Sequence, residues 1–340
     1  MILPVNLGAD SYDVVIERGC LARAGEYLNL RRRTLIVTDD GVPPAYARAV
    51  AARCECPVVV TIPQGEDSKS FDALRALLSR MLAEGFTRGD CVAAVGGGVP
   101  GDLAGFAAAC YMRGVDFYNI PTTALAQVDS SIGGKTAIDL DGVKNVVGAF
   151  HQPRRVLVDL DTLATLPARQ MAAGLAEAAK MALCFDEAGF QLFEAGDIDR
   201  RLDEIIRRAL RVKAGVVERD EKEAGLRRAL NFGHTLGHGI ESLLAENGLY
   251  HGECVALGML PMCAAPVRVR LLAVLRRLGL PTTCAADVDQ VMRAVAHDKK
   301  RDGDAVNAIV VGKVGSFEER AMTMEELRAR FVACFGEGKA

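Results

Sequence analysis

Up to about residue 165 this 340-residue chain alternates short β-branched runs with helical stretches, and beyond that point the rhythm changes. The runs TLIVTDD, PVVVTIP, CVAAVGGG, FYNIPTT and VLVDLDT are separated by segments such as FDALRALLSRMLAEGF. Strand and helix in alternation predict a parallel sheet with helices on its faces. From Leu166 onward apolar residues recur at helical spacing, as in DEIIRRALRVKAGVVERDEKE and EELRARFVACF. The expectation is therefore an α/β domain over residues 1–166 followed by a mainly α-helical domain over residues 167–340. The second opens near Pro167, a residue that suits the first turn of a helix. NAIVVGKVGSFEE is the one later run that predicts a strand pair.

Half the residues are apolar and a quarter charged, the profile of an ordinary globular protein of about two domains. A net charge of −3 gives no overall basic field, so nucleic acid is not expected as a partner. Ten cysteines are scattered from Cys20 to Cys334 without a CxxC pair, which reads as reduced thiols in a cytoplasmic protein. The opening MILPVNLGADSYDVVI lacks the basic start and long apolar run of a secretion signal. VALGMLPMCAAPV, followed by Arg268 and Arg270, is too short to span a bilayer, so no membrane partner is expected.

Three clusters carry chemistry. In CVAAVGGGVPGDLAGFAAA the residues Gly96, Gly98 and Gly101 fit GxGxxG between a strand and a helix. Such a turn lets the backbone approach a pyrophosphate at a helix N-terminus. Alone the motif is weak, and a tight turn without a ligand also fits; its strand–turn–helix setting favours the nucleotide. Asp116, twenty residues after Gly96, lies in a strand-like run and is given little weight as a ribose ligand. In MAAGLAEAAKMAL, Glu177 and Lys180 interrupt a helix that is otherwise apolar on every side. A solvent-facing ion pair is one reading; a buried carboxylate compensated by a metal or counter-ion is the other. In NFGHTLGHGIES, His234 and His238 stand four apart on one helix face, and His251 opens LYHGECVALGM. The spacing is that of HExxH, but Thr235 stands where the glutamate would be. Two imidazoles and a carboxylate with open positions make a catalytic type of zinc site, and spacing alone favours His234 with His238 as the pair.

Together GGGVPGDLAGFAAACYMRG, PTTALAQVDSSIGGKTAIDLDGVKNVVGAFHQP, LPARQMAAGLAEAAK, GLRRALNFGHTLGHGIE and HGECVALGM closely resemble the motifs of the 3-dehydroquinate synthase family, from about Asp39 to Lys300. The resemblance implies a Rossmann-like NAD-binding α/β domain over residues 1–166 and a helical metal- and substrate-binding domain over 167–340, with the active site between them. It changes the histidine assignment: Glu177, His234 and His251 become the ligands of a divalent metal, zinc or cobalt, and His238 a substrate-pocket residue that takes part in proton transfer. Glu223 matches an acidic residue of proton transfer, and Lys135, Lys180 and Arg227 are further catalytic candidates. The substrate, a sugar phosphate, would be held by Asp129, Lys135, Asn145, Lys180, Lys213, Arg227, Asn231, His238 and one of Lys299 and Lys300. Arg113 of YMRG matches an arginine that reaches the neighbouring subunit's site, implying a homodimer. On the NAD side the matches are Asp39, Glu66, Lys69, Gly97, Gly98, Asp102, Thr122, Thr123, Lys144, Thr162 and Thr165. Pro100 departs from the branched aliphatic residue of the family's loop and removes one backbone N–H there.

The implied reaction converts 3-deoxy-D-arabino-heptulosonate 7-phosphate to 3-dehydroquinate and phosphate, with NAD regenerated each cycle, in the shikimate pathway. A metal-dependent alcohol dehydrogenase of the glycerol dehydrogenase type, a sister sugar-phosphate cyclase and a non-catalytic nucleotide-binding module are the rival readings.

Overall fold

A computed structural model describes residues 1–244, 248–298 and 305–336. The chain divides into two compact units, Met1–Leu166 and Pro167–Ala340. No helix among the described residues is long and apolar enough to cross a membrane.

The first unit is built on nine strands: β1 (Ile2–Val5), β2 (Tyr12–Ile16), β3 (Arg33–Asp39), β4 (Cys56–Ile62), β5 (Cys91–Gly96), β6 (Asp116–Pro121), β7 (Lys135–Leu140), β8 (Val143–Phe150) and β9 (Arg155–Val158). Seven form one sheet in the order β1-β2-β9-β6-β5-β3-β4. All its pairings are parallel except β1 with β2 at the edge. Every residue of β5, CVAAVG, is buried, as a strand covered on both faces requires. Helices α1 (Ala24–Tyr27) and α2 (Pro44–Ala51) pack their apolar side chains with Leu28, Ile36 and Ala93 in one core layer. Helices α3 (Phe71–Ala83) and α4 (Gly98–Cys110) pack with Leu35, Val92 and Phe117 in the other. The alternation had predicted this layering.

It had not signalled β7 and β8, an antiparallel hairpin whose turn places Asp141 at φ 51° and Gly142 at φ 77°. The dipeptide Asp-Gly between alternating apolar residues is a strong hairpin signal that the strand–helix rhythm obscured. Helix α4 lies directly on this hairpin, because a Cβ at Gly105 would come within 2.4 Å of Thr136 Cγ2.

The second unit holds α5 (Ala168–Phe185), α6 (Glu187–Ala195), α7 (Ile198–Arg219), α8 (His234–Leu244), α9 (His251–Met262), α10 (Ala265–Arg277), α11 (Val288–Asp298) and α12 (Met324–Phe335). Strands β10 (Ala305–Val310) and β11 (Glu318–Thr323) form the antiparallel pair expected near the C-terminus. Pro167 precedes the first helical residue of α5 rather than occupying its first turn. Helix α7 stops at Arg219, before the charged run that helical periodicity would have included. Asp220 ends it by accepting hydrogen bonds from the backbone N–H groups of Ala224 (2.8 Å), Gly225 (2.7 Å) and Arg227 (2.9 Å).

Helix α9 lies closely against two neighbours because it carries glycine at both contacts. A Cβ at Gly252 would stand 1.9 Å from the carbonyl oxygen of Ala173 in α5, and one at Gly258 would stand 2.0 Å from that of Gly233 and 2.6 Å from the Gly237 nitrogen in α8. These approaches bring the helices of Glu177, His234 and His251 together. Gly258→Ala is expected to cost about 1–3 kcal/mol by overpacking backbone against backbone. Gly215→Ala, in α7 with nothing near its Cβ position, is expected to gain up to about 1 kcal/mol from helix propensity. Denaturant unfolding of the two variants checks both signs.

Candidate functional site

Glu177 and Lys180 lie one turn apart on α5; Glu177 is completely buried and Lys180 is 1% exposed. The solvent-facing reading of this pair is therefore excluded. An isolated buried carboxylate costs several kcal/mol, so the surrounding charges have to compensate it. The Lys180 ammonium contacts Oε2 of Glu177. Oε1 accepts no hydrogen bond and faces two imidazole nitrogens, Nε2 of His251 at 3.5 Å and Nε2 of His234 at 3.9 Å.

His234 is the first residue of α8, His238 stands one turn further along it, and His251 is the first residue of α9. Ligand nitrogens of the three rings lie within 4.8 Å of one another. Donors bound at about 2.0–2.2 Å around a tetrahedral zinc-type ion stand about 3.4 Å apart. Glu177 and His251 are already at that separation and His234 is close to it. Two imidazoles and one carboxylate suit zinc or cobalt, so the residues present fit a divalent cation.

The second nitrogen of each ring is occupied differently. Nδ1 of His234 lies 3.2 Å from the carbonyl oxygen of Phe232, and Nδ1 of His251 lies 3.0 Å from Oε2 of Glu241. Burial, followed by the positive charges of Lys180, His251 and His238, holds His234 well below the usual imidazole range and keeps it neutral. Burial also opposes charge on His251, but the hydrogen bond to Glu241 and the charges of Glu177 and Glu241 outweigh it and raise that pKa.

Two other expected cations of this unit are also buried. Lys213 and Arg227 are buried, the latter 1% exposed, on α7 and on the 3-10 turn Leu226–Asn231. Arg227 donates to the carbonyl oxygen of Glu221. Glu223 sits at φ 61°, and its Oε1 accepts from Nδ2 of Asn231 at 2.8 Å. Lys299 and Lys300 lie outside the described residues.

In the first unit the expected cofactor residues other than Lys144 gather at the C-terminal ends of the strands of the seven-stranded sheet or in the segments that follow them, where open α/β sheets receive ligands. Strand β5 ends at Gly96 and α4 begins at Gly98, so the GxGxxG turn has the setting its chemistry requires. A Cβ at Gly97 would stand 3.2 Å from Thr123 Cγ2, and the Thr122 N–H donates to the Gly96 carbonyl oxygen at 2.9 Å. Pro100 falls in the first turn of α4, where its missing N–H breaks no helical hydrogen bond, and its ring abuts Gly96. Asp39 closes the turn after β3, its Oδ1 accepting from Gly41 (2.9 Å) and Val42 (3.1 Å). The buried Lys69 ammonium donates to Glu66 (3.1 Å), Asp102 (2.9 Å) and Asn145. Burial pushes the Asp102 carboxyl up to about 6 against the pull of Lys69. Asp116 lies at the opposite end of the sheet, level with Cys91, and accepts from Arg32 and Arg154, each at 2.7 Å.

Lys144, Asn145 and Lys135 belong to the β7–β8 hairpin, and Asp129 to the π-helical turn Ala126–Ser130. Arg113 is exposed in a left-handed turn at φ 70°. Thr162 and Thr165 occupy the 3-10 turn Leu160–Thr165, and the hydroxyl of Thr165 is 2.9 Å from that of Tyr46.

Sequence reasoning overlooked the residues that hold these positions. Buried Gln127 donates through Nε2 to the carbonyl oxygens of Pro121 (3.2 Å) and Asp159 (2.9 Å) and to Thr162 Oγ1 (3.0 Å), tying two threonine-bearing loops together. Glu253 accepts two 2.7 Å hydrogen bonds from Arg169 and one of 2.8 Å from the Tyr250 N–H, fixing the chain just before His251. Single polar residues within apolar helices were the available signal for Glu253, as for Glu177.

Removing charge from the donor set tests the metal reading. Glu177→Gln is expected to lower zinc affinity at least tenfold, read by competition with a chromophoric chelator. The pH dependence has a definite sign. A charged His251 stabilises the metal-free fold below its unfolded value of about 6.5, and that contribution is lost as pH rises through its raised folded pKa. Zinc affinity is expected to increase through the same window, because the ligand must shed its proton.

The comparisons with known proteins cover both units. The family model described as 3-dehydroquinate synthase N-terminal matches residues 59–173, and that described as 3-dehydroquinate synthase C-terminal matches 174–301. A 3-dehydroquinate synthase of Caulobacter vibrioides is 45% identical, with 92% of this chain and 93% of the relative covered. One from Pelobacter propionicus is 40% identical over 96% and 97% of the two chains. Among solved structures, 2-epi-5-epi-valiolone synthase from Streptomyces hygroscopicus, with NAD+ and Zn2+ bound, matches with a TM-score of 0.86 at 29% identity, over 95% and 96% of the chains. A probable glycerol dehydrogenase from Sinorhizobium meliloti matches at a TM-score of 0.61 and 18% identity, over 94% and 95% of the chains, which marks a shared fold alone. With both family models matched and relatives of one name aligned along nearly their whole length, the chain belongs to the 3-dehydroquinate synthase family.

Proposed function

We propose that this chain converts 3-deoxy-D-arabino-heptulosonate 7-phosphate to 3-dehydroquinate and phosphate, using NAD held by residues 1–166 and a divalent metal held by residues 167–340. The observation that carries the reading is the buried Glu177 carboxylate facing His234 and His251 beside the buried Lys180, in a chain of this family. Zinc or cobalt would be held by Glu177, His234 and His251. NAD would lie over the Gly96–Gly98 turn, near Asp39, Glu66, Lys69, Asp102, Lys144 and the threonines at 122, 123, 162 and 165. When bound, the metal supplies a Lewis acid for a substrate oxygen, and NAD takes up and returns a hydride within one turnover.

The protein's own side chains do the rest. Lys180, Lys213 and Arg227 are buried cations that bind and orient a substrate bearing phosphate and carboxylate, and their charge lowers the cost of releasing phosphate. Asp129, Lys135 and Asn145, with Lys299 or Lys300, complete its recognition. His238 stands next to the proposed ligands, with its ring centroid 5.2 Å from that of His234, and moves a proton to or from the substrate. Asn231 holds the Glu223 carboxylate in place for a second transfer. The exposed Arg113 turn is assigned to the neighbouring site of a homodimer. Ten free thiols support a reducing compartment, the cytoplasm.

Purified protein given 3-deoxy-D-arabino-heptulosonate 7-phosphate, zinc and catalytic NAD+ is expected to release phosphate over many turnovers without net NADH. Stoichiometric NADH instead would identify a dehydrogenase, and absence of phosphate release would point to a sister cyclase with another substrate. His238→Ala is expected to lower kcat by about a hundred- to ten-thousand-fold while retaining the metal, as a proton-transfer residue should; loss of the metal would make it a ligand.

A further inference from the structure

We infer that Glu241 is a positioning residue of the metal centre, fixing His251 in the tautomer and orientation that present Nε2 to the cation. The inference rests on the proposed ligand set of Glu177, His234 and His251. Positions 234, 238 and 241 fall at i, i+4 and i+7, so α8 presents two imidazoles and one carboxylate along a single stripe. From that stripe the carboxylate reaches across to α9, where its Oε2 stands 3.0 Å from Nδ1 of His251 while the opposite nitrogen of the same ring faces Glu177 at 3.5 Å.

A hydrogen bond accepted from Nδ1–H leaves the lone pair on Nε2, and a carboxylate acceptor makes that nitrogen a stronger donor to a metal. His234 has the weaker arrangement, with a neutral backbone carbonyl beside its Nδ1. The Glu241 side chain is only 15% exposed, so the hydrogen bond to His251 is shielded from water.

The test uses the full chain, stripped of metal and titrated with Zn2+ against a chromophoric chelator, so that no substrate is involved. Glu241→Leu is expected to weaken Zn2+ affinity by about 10–100-fold. Glu241→Gln keeps an oxygen acceptor for Nδ1–H but not the charge, and is expected to lose less. The absorption bands of the Co2+-loaded protein are expected to shift in the leucine variant, a change that a merely structural contact would not produce. Equal Zn2+ affinity in wild type and both variants overturns the inference, and if Glu241→Leu does not fold, Glu241→Ala, which also removes the acceptor, takes its place in that comparison. His251→Ala separates the two levels: affinity unchanged in that variant would remove the ligand set itself, whereas affinity lost there but kept in both Glu241 variants would remove only the role of Glu241.

Discussion

The second unit is organised around one buried negative charge. Glu177 lies in the middle of an α5 helix of alanine, leucine, methionine and glycine and has no access to water. Such a carboxylate persists only where its surroundings compensate it: here the Lys180 ammonium does so at one oxygen, while the other faces the Nε2 atoms of His234 and His251, which stand where a cation would complete the compensation. Those partners come from three helices, which approach closely enough only because Gly252, Gly258, Gly233 and Gly237 present backbone to backbone. Packing and electrostatics are thus coupled: a methyl group added at the α8–α9 contact displaces the imidazoles as well as the helices.

The two units solve opposite charge problems. Around α5 and α7 buried cations accumulate, Lys180, Lys213 and Arg227, an arrangement that favours an anionic ligand. At the strand ends of the first unit a buried lysine, Lys69, is instead surrounded by the carboxylates of Glu66 and Asp102 and by Asn145, close to a glycine turn that leaves backbone N–H groups at a helix N-terminus. On the proposed function, a substrate carrying phosphate would meet the buried cations of the second unit, and a dinucleotide carrying a pyrophosphate would meet backbone N–H groups of the first.

Much of this was legible in the sequence. Strands β3, β4, β5 and β6 and helices α3 and α5 follow directly from periodicity, and Glu177 was conspicuous as a charge on an all-apolar helix. What periodicity could not supply was contact between helices distant in sequence. Spacing along α8 pairs His234 with His238, whereas Oε1 of Glu177, on another helix, stands against His234 and His251. The assignment of ligands therefore depended on the family resemblance. Glu241, Gln127 and Arg169 were overlooked because each acts through a partner far along the chain, and a residue of this kind looks like an ordinary polar surface position until its partner is in view. The end of α7 at Arg219 failed for a local reason, since the Asp220 carboxylate captures three N–H groups that a continuing helix would have used.

Anomalous X-ray scattering at the zinc absorption edge, from crystals of the metal-loaded chain, tests the central claim most directly. The account requires one peak within about 2.0–2.2 Å of Glu177, of Nε2 of His234 and of Nε2 of His251, with His238 outside bonding distance. A peak bonded to His234 and His238 and remote from Glu177 would contradict it, and with it the reading of Glu177 as the buried charge that the cation compensates.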